Sequence, residues 1–158
     1  MRARLRGAVV ALAMLPALAA VAEGQTNRMH LGPQINNDFD LEEIGIGAQF
    51  GAPLGNRLEF YPSFVWFFVD PGSFWNLNAD LKYRVASSQP HWLYVGGGLN
   101  ISRFAFEGEG ESDVGLNLLA GAESLRGRIH PFVEGRLIIG DGSRFQLAAG
   151  LNFTLGAH

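Results

Sequence analysis

The stretch Ser143–Gly156 reads SRFQLAAGLNFTLG, and its odd positions Phe145, Leu147, Ala149, Leu151, Phe153 and Leu155 are all apolar. The even positions Arg144, Gln146, Ala148, Gly150, Asn152, Thr154 and Gly156 hold nothing both large and apolar. Period two marks a β-strand with two unlike faces, because successive side chains point to opposite sides of a sheet. Phe74–Val85 repeats it, with Trp75, Leu77, Ala79, Leu81, Tyr83 and Val85 alternating with Asn76, Asn78, Asp80, Lys82 and Arg84. A helix would bring Asp80 and Arg84 together but scatter the apolar set. Ser112–Glu123 follows suit, placing Val114, Leu116, Leu118 and Ala120 opposite Asp113, Gly115, Asn117, Gly121 and Glu123.

Outward from these segments, turn residues divide the chain into eight strands, at 26–36, 42–53, 57–69, 74–86, 91–105, 112–124, 128–139 and 144–156. The connections are short and mostly carry Gly, Pro, Asn or Asp. None is long enough for a crossover helix, so the strands pair as an antiparallel meander. An even number of up-and-down strands of this length suits a tilted bilayer crossing. The fold class is all-β, an eight-stranded antiparallel up-and-down transmembrane β-barrel.

The N-terminus carries an address. Met1–Ala22 has arginines at 2, 4 and 6, an apolar run from Ala8 to Ala20, and Ala20-Val21-Ala22 as a small-x-small cleavage site, the layout of a secretory signal peptide. The domain division is 1–22 signal peptide and 23–158 barrel. Removal of the three arginines leaves nine basic against fifteen acidic residues, so the net charge moves from −3 to −6. The chain has no cysteine, which excludes a disulfide framework, a thiolate nucleophile and a lipoprotein anchor. An acidic balance also argues against nucleic acid as a partner.

Alternation is symmetric under inversion, so which face points inward rests on volume and charge. A lipocalin-like barrel, secreted or periplasmic and binding a small apolar ligand, would turn its apolar face inward. A membrane barrel does the reverse. Charged residues make up 17% of the chain against about 25% in soluble domains, and the 21 glycines in 158 residues are about twice the usual 7%. On the polar faces Gly45, Gly47, Gly51, Gly96, Gly98, Gly115, Gly121 and Gly150 stand among amides and charges of both signs, which suits a narrow eight-stranded interior filled by side chains. On the apolar faces Phe60, Phe64, Trp66, Phe68 and Trp75 gather near the turn at Asp70-Pro71-Gly72, with Tyr83 and Phe153 toward the other end. Aromatics near strand ends form the girdle of a lipid-facing surface.

An Ala-x-Ala signal followed by alternating strands, with segments HWLYVGGGLNIS (91–102), DVGLNLLAGAE (113–123) and HPFVEGRLIIG (130–140), resembles the small outer-membrane β-barrels of Gram-negative bacteria, the class of the OmpA transmembrane domain and OmpX. The resemblance spans the mature chain and is mostly architectural, the run PFVEGR at 131–136 being its most telling piece. It implies residence in the bacterial outer membrane. It also implies outer-membrane lipids and lipopolysaccharide as surroundings, and the barrel-assembly machinery as a partner. Such barrels often end in an aromatic residue, whereas this chain ends FTLGAH, so that signal is either shifted to Phe153 or weak.

With Ile129, Val133, Leu137 and Ile139 toward lipid, His130, Glu134 and Arg136 point into the lumen. Parity adds Arg28, His30, Gln34, Asn36, Glu59, Tyr61, Ser63, Asp80, Lys82, Arg84, Asn100, Asn117, Glu123, Arg144, Gln146 and Asn152. Buried charges require partners. The set Glu134, Arg136, Glu123, Asp80, Lys82, Arg84, Arg144, Glu59 and His130 is therefore expected to form a salt-bridged plug, or a gate if Glu134 or Glu123 exchanges between cations. The resemblance to barrels that act on lipid A raises an enzymatic alternative, but the His-x-Ser-Asn motif of the deacylase type is absent. His130 is followed by Pro131 and Phe132, and His91 by Trp92 and Leu93. A triad from Ser63, Ser102 or Ser124 with His30 or His130 stays open. No catalytic, cofactor or metal residue is assigned.

With the N-terminus in the periplasm, the outer connections hold Asp38, Asp40, Glu42, Glu43, Asp70, Glu107, Glu109, Glu111, Asp113 and Asp141, ten of the fifteen acids. The opposite end has Arg57, Arg84, Arg126 and Arg128. Oxygen ligands are what calcium and magnesium prefer, so Glu107–Glu111 and the 38–43 cluster are candidate sites for divalent cations, bridging to lipopolysaccharide phosphates.

Overall fold

A computed structural model of the chain describes residues 28–88, 91–124 and 126–156. The expected signal segment lies outside these residues. Eight strands follow in order: β1 His30–Asp38, β2 Glu43–Pro53, β3 Leu58–Phe67, β4 Ser73–Ser88, β5 His91–Phe106, β6 Glu109–Ser124, β7 Ile129–Ile139 and β8 Ser143–Thr154. Each pairs antiparallel with the next, and β8 closes on β1 through His30↔Thr154, Ile35↔Ala149 and Asp38↔Gln146. Closure leaves no sheet edge along the wall, which is what a lipid-exposed sheet requires.

Two boundaries move by more than two residues from the sequence reading. β1 begins at His30 rather than 26, so Arg28 precedes the strand and is exposed at the mouth of the lumen. β6 begins at Glu109 rather than 112, because Glu107 and Gly108 both adopt positive φ, 50° and 81°, and make a two-residue hairpin turn. Such a turn matches the twist of the strands it joins and lets pairing run up to it, here to Phe106↔Glu109. The segment 107–111 is therefore mostly strand and not an acidic loop.

The faces sort as volume and charge imply. Leu31, Ile46, Leu77, Leu99, Leu118, Val133 and Leu151 are among the large apolar side chains exposed on the outer wall, while Gln34, Asn78, Asp80, Asn100, Asn117, Glu134 and Asn152 are buried within it. An exterior of this kind is suited to hydrocarbon. A lipocalin-like barrel would need the reverse, an apolar cavity inside. The lumen is nevertheless not uniformly polar. Val65, Phe67 and Phe74 pack together near the end that carries the four hairpins, with Val69 against them.

Phe64, Trp66, Phe68 and Trp75 stand near the hairpin end, with Trp66 directly opposite Trp75 and the rings of Phe64 and Trp75 5.7 Å apart. Phe39 and Phe145 stack at 5.6 Å at the same end, where β8 meets β1. Phe60 belongs elsewhere. β3 runs toward the hairpin end, so Phe60, two residues into it and paired with Leu81 and Ala52, lies at the terminal end near Tyr83, which pairs with Leu58. Phe153, opposite Leu31 and Ile129, completes that end.

An outward charge placed at mid-wall must enter hydrocarbon. In lipid vesicles, urea unfolding of Leu118→Arg is expected to show a loss of about 2–4 kcal/mol, and Val114→Arg, near the end of the wall, a loss of about 0–1 kcal/mol. Equal and negligible losses would indicate a water-facing wall.

Candidate functional site

The lumen is built in three layers, each formed where inward positions of different strands fall at one level. The middle layer comes from β4, β5, β6 and β7. Register places Lys82 beside Gly96 and Asp80 beside Gly98. A side chain at Gly98 would strike the Asp80 carboxylate and the Ala79 carbonyl. Gly96 and Gly98 thus make room for the long polar groups of β4, while Gly97 between them is on the outer face beside Leu81 and Leu118. Tyr94, Gly121 and Glu134 are likewise successive cross-strand neighbours. The Tyr94 hydroxyl passes over Gly121 to donate to Glu134 Oε2 at 2.9 Å, and a Cβ at 121 would stand 2.5 Å from that hydroxyl.

Glu134, 2% exposed, is gripped from both sides. Lys82 Nζ lies 2.6 Å from Oε2 and Arg136 Nη2 2.9 Å from Oε1. Arg136 also meets Asp80 at 2.8 Å, and Asn117 Nδ2 donates to Asp80 Oδ1 at 2.8 Å. The four charges sum to zero. Lys82 is further held by ring faces, its Nζ 3.9 Å from the centre of Tyr61 and 4.7 Å from that of Tyr94, contacts that favour a desolvated cation.

The layer toward the hairpin end joins Asp38, Arg144, Ser102, Asn100 and Asn78. Arg144 donates to Asp38 Oδ2 at 3.2 Å and to Ser102 Oγ at 2.8 Å. Ser102 donates to Asn100, and Asn100 and Asn117 both donate to Asn78 Oδ1, which links this layer to the middle one. Asp38 is therefore not a rim acid. It is fully buried, and it also accepts from Gln146 and from the backbone N–H groups of Asp40 and Leu41, capping the first hairpin.

The terminal layer gathers His30, Glu59, Tyr61, Arg84, Glu123, His130 and Asn152. Arg84 pairs with Glu59 and lies 4.9 Å from the Trp92 ring, and His30 Nε2 is 3.4 Å from Glu59. Asn152 Nδ2 donates to Glu123 Oε1 at 3.0 Å and to the Tyr61 hydroxyl at 3.2 Å.

All nine charged residues singled out in the sequence thus line the lumen, though in three groups rather than one. Tyr94 was not singled out, although its even position in β5 signals an inward ring. Asp38 has the inward, even parity of His30, Gln34 and Asn36, but a β1 that ends at 36 leaves it in the turn, whereas the strand runs on to Asp38. Two of the three serines considered for a triad have other partners: Ser63 accepts from Asn78, and Ser102 bonds Asn100 and Arg144 in the layer toward the hairpin end. Cavities of about 270 and 240 Å³ open at the hairpin and terminal mouths, with the middle layer between them.

No protein-family model matches the sequence, and no curated protein matches it as a relative. Solved structures do match its fold. The N-terminal β-barrel domain of Pseudomonas aeruginosa OprF superposes with a TM-score of 0.71 at 15% identity, over 82% of this chain and 98% of that one. The fold is that of the small outer-membrane barrels. Neisserial surface protein A matches with a TM-score of 0.61 at 15% identity, over 80% of this chain and 96% of that one. The attachment invasion locus protein Ail of Yersinia pestis, in complex with the heparin analogue sucrose octasulfate, matches at 0.56 and 14%, over 81% and 97%.

Removing one partner of a buried ion pair strands the other. Glu134→Gln is expected to destabilise the barrel by about 3–5 kcal/mol in urea unfolding, and Lys82→Met combined with it to recover part of that loss. A neutral Glu134→Gln would mean that the pair carries no structural weight.

Proposed function

We propose that this chain is a resident of the bacterial outer membrane with a structural and surface role, its lumen closed by a salt-bridged plug, and that it is not an enzyme. The observation that carries this reading is Glu134 clamped between Lys82 and Arg136 in mid-lumen, with Asp80 completing a neutral set. Opening a water path there requires Glu134 to release Lys82, leaving it without its carboxylate in a confined interior, or Arg136, leaving it Asp80 alone, and either step is costly. Any conduction is that of a narrow gate working through this exchange.

In this reading the aromatic rings at the two ends of the wall anchor the barrel at the two interfaces among outer-membrane lipids and lipopolysaccharide. The end with four hairpins faces outward. Its exposed acids Asp40, Glu42, Asp70, Glu107, Glu109, Glu111, Asp113 and Asp141 make a predominantly acidic rim, with Arg103 exposed among them beside Ser112. The Ail neighbour was solved with a sulfated, polyanionic sugar analogue. An acidic rim has the opposite preference and suits a cationic partner surface, or divalent cations bridging to lipopolysaccharide phosphates. Among the described residues, however, these acids bring no three ligand groups together.

In planar bilayers the wild-type protein is expected to give no steady ion current, and a persistent open level would refute the closed plug. An epitope inserted between Glu107 and Gly108 is expected to be labelled by antibody on intact cells. Labelling only after the outer membrane is permeabilised would reverse the orientation.

A further inference from the structure

His30 of β1, Glu123 of β6 and His130 of β7 meet in the terminal layer, all buried, each offering a ligand atom within 4.8 Å of the others. They come from three strands and converge across β8, where His130 pairs with Asn152 and His30 with Thr154. The rings of His30 and His130 stand edge to face, their centres 6.2 Å apart.

The polar groups around the trio are those a metal site requires. His130 Nε2 is 3.1 Å from the Gly127 carbonyl, to which a ring nitrogen can only donate. In neutral His130 the proton therefore sits on Nε2, and Nδ1 presents its lone pair to the lumen. That Nδ1 is buried without a hydrogen-bond partner, and Glu123 Oε1 stands 3.6 Å away, beyond hydrogen-bond reach. A lone pair facing a carboxylate across such a gap calls for a cation between them. Glu123 is oriented by Asn152, and His30 Nε2 lies 3.1 Å from the Tyr61 hydroxyl. Ligands held by outer hydrogen bonds of this kind are characteristic of metal centres.

The geometry points to a binding site for a divalent transition-metal ion, with Zn²⁺ as its fitting occupant, at the terminal mouth of the barrel. Two imidazoles and one carboxylate are a borderline donor set that suits zinc, whereas calcium and magnesium need more oxygen ligands than this site supplies. Zinc–ligand bonds of about 2.1 Å place tetrahedral ligand atoms roughly 3.4 Å apart, so the trio must contract around the ion. The 240 Å³ cavity lined by His30, His130, Glu59 and Arg84 leaves the ion open to solvent and gives room for a water as fourth ligand. Bound there, the ion would tie β1 to β6 and β7 across the closing strand. The site stands whether or not the barrel conducts and whichever way it is oriented.

The test uses purified protein in detergent, stripped with EDTA and titrated with zinc chloride by calorimetry, with cobalt(II) absorption as a second readout. One Zn²⁺ per chain is expected, together with a rise in the unfolding midpoint. His30→Gln, His130→Gln and Glu123→Gln should each weaken binding tenfold or more, while His91→Gln, outside the trio, should leave it unchanged. Heat-dependent gel migration reports whether each variant is folded. Absence of saturable zinc binding by the wild-type protein overturns the proposal with no variant needed, and would assign the gap at His130 to a proton. Binding that survives the His30→Gln/His130→Gln double variant also overturns it and moves the ion to another site, such as the acidic rim.

Discussion

Eight strands closed on themselves leave an interior too narrow for a hydrophobic core of ordinary thickness and too dry for free ions, and the rest of the molecule follows from that constraint. A charge that points inward must be paired, and its neighbours must be small enough to make room. Glu134 meets the condition by facing Lys82 and Arg136 at once, and Arg136 meets it again through Asp80. Because these residues stand on β4 and β7, opposite walls of the barrel are joined by charge where a soluble protein would use apolar packing.

The space for those side chains is made on neighbouring strands. Gly96 and Gly98 lie beside Lys82 and Asp80, and Gly121 lies beneath the Tyr94 hydroxyl. The glycine excess is thus a volume pattern complementary to the charge pattern. The two should be read together: a large residue at any of these glycines would displace a partner from an ion pair one strand away.

Much of this was legible in the amino-acid order. Period two is local and unambiguous over Ser143–Gly156, so strand number and connection order follow from such runs and the turns between them, and the inward set follows from parity once volume and charge choose the face. Parity says nothing of height along the axis. Phe60 was therefore assigned to the wrong end, and the nine lumen charges to one group rather than three layers, since both depend on cross-strand register. Residues at strand ends escape for a related reason. Asp38 reads as one more acid in a polar cluster, and only the arrival of Arg144 and Gln146 from β8 shows it to be buried. The convergence of His30, Glu123 and His130 is equally invisible in sequence, because closure of the first strand on the last brings them together.

The two-residue turn at Glu107-Gly108 has a consequence beyond its own geometry. β5 stays paired with β4 as far as Ala105, opposite Ser73, but β6 runs outward past β7 and meets it only from Leu116, which pairs with Ile139. From Glu109 to Gly115 one side of β6 therefore presents backbone groups with no partner strand, a short template on which another chain could add a strand. Glu109, Glu111 and Asp113 alternate along that segment. Two copies meeting there would bring like charges together, so the same residues that make the rim acidic also guard the molecule against assembling with itself.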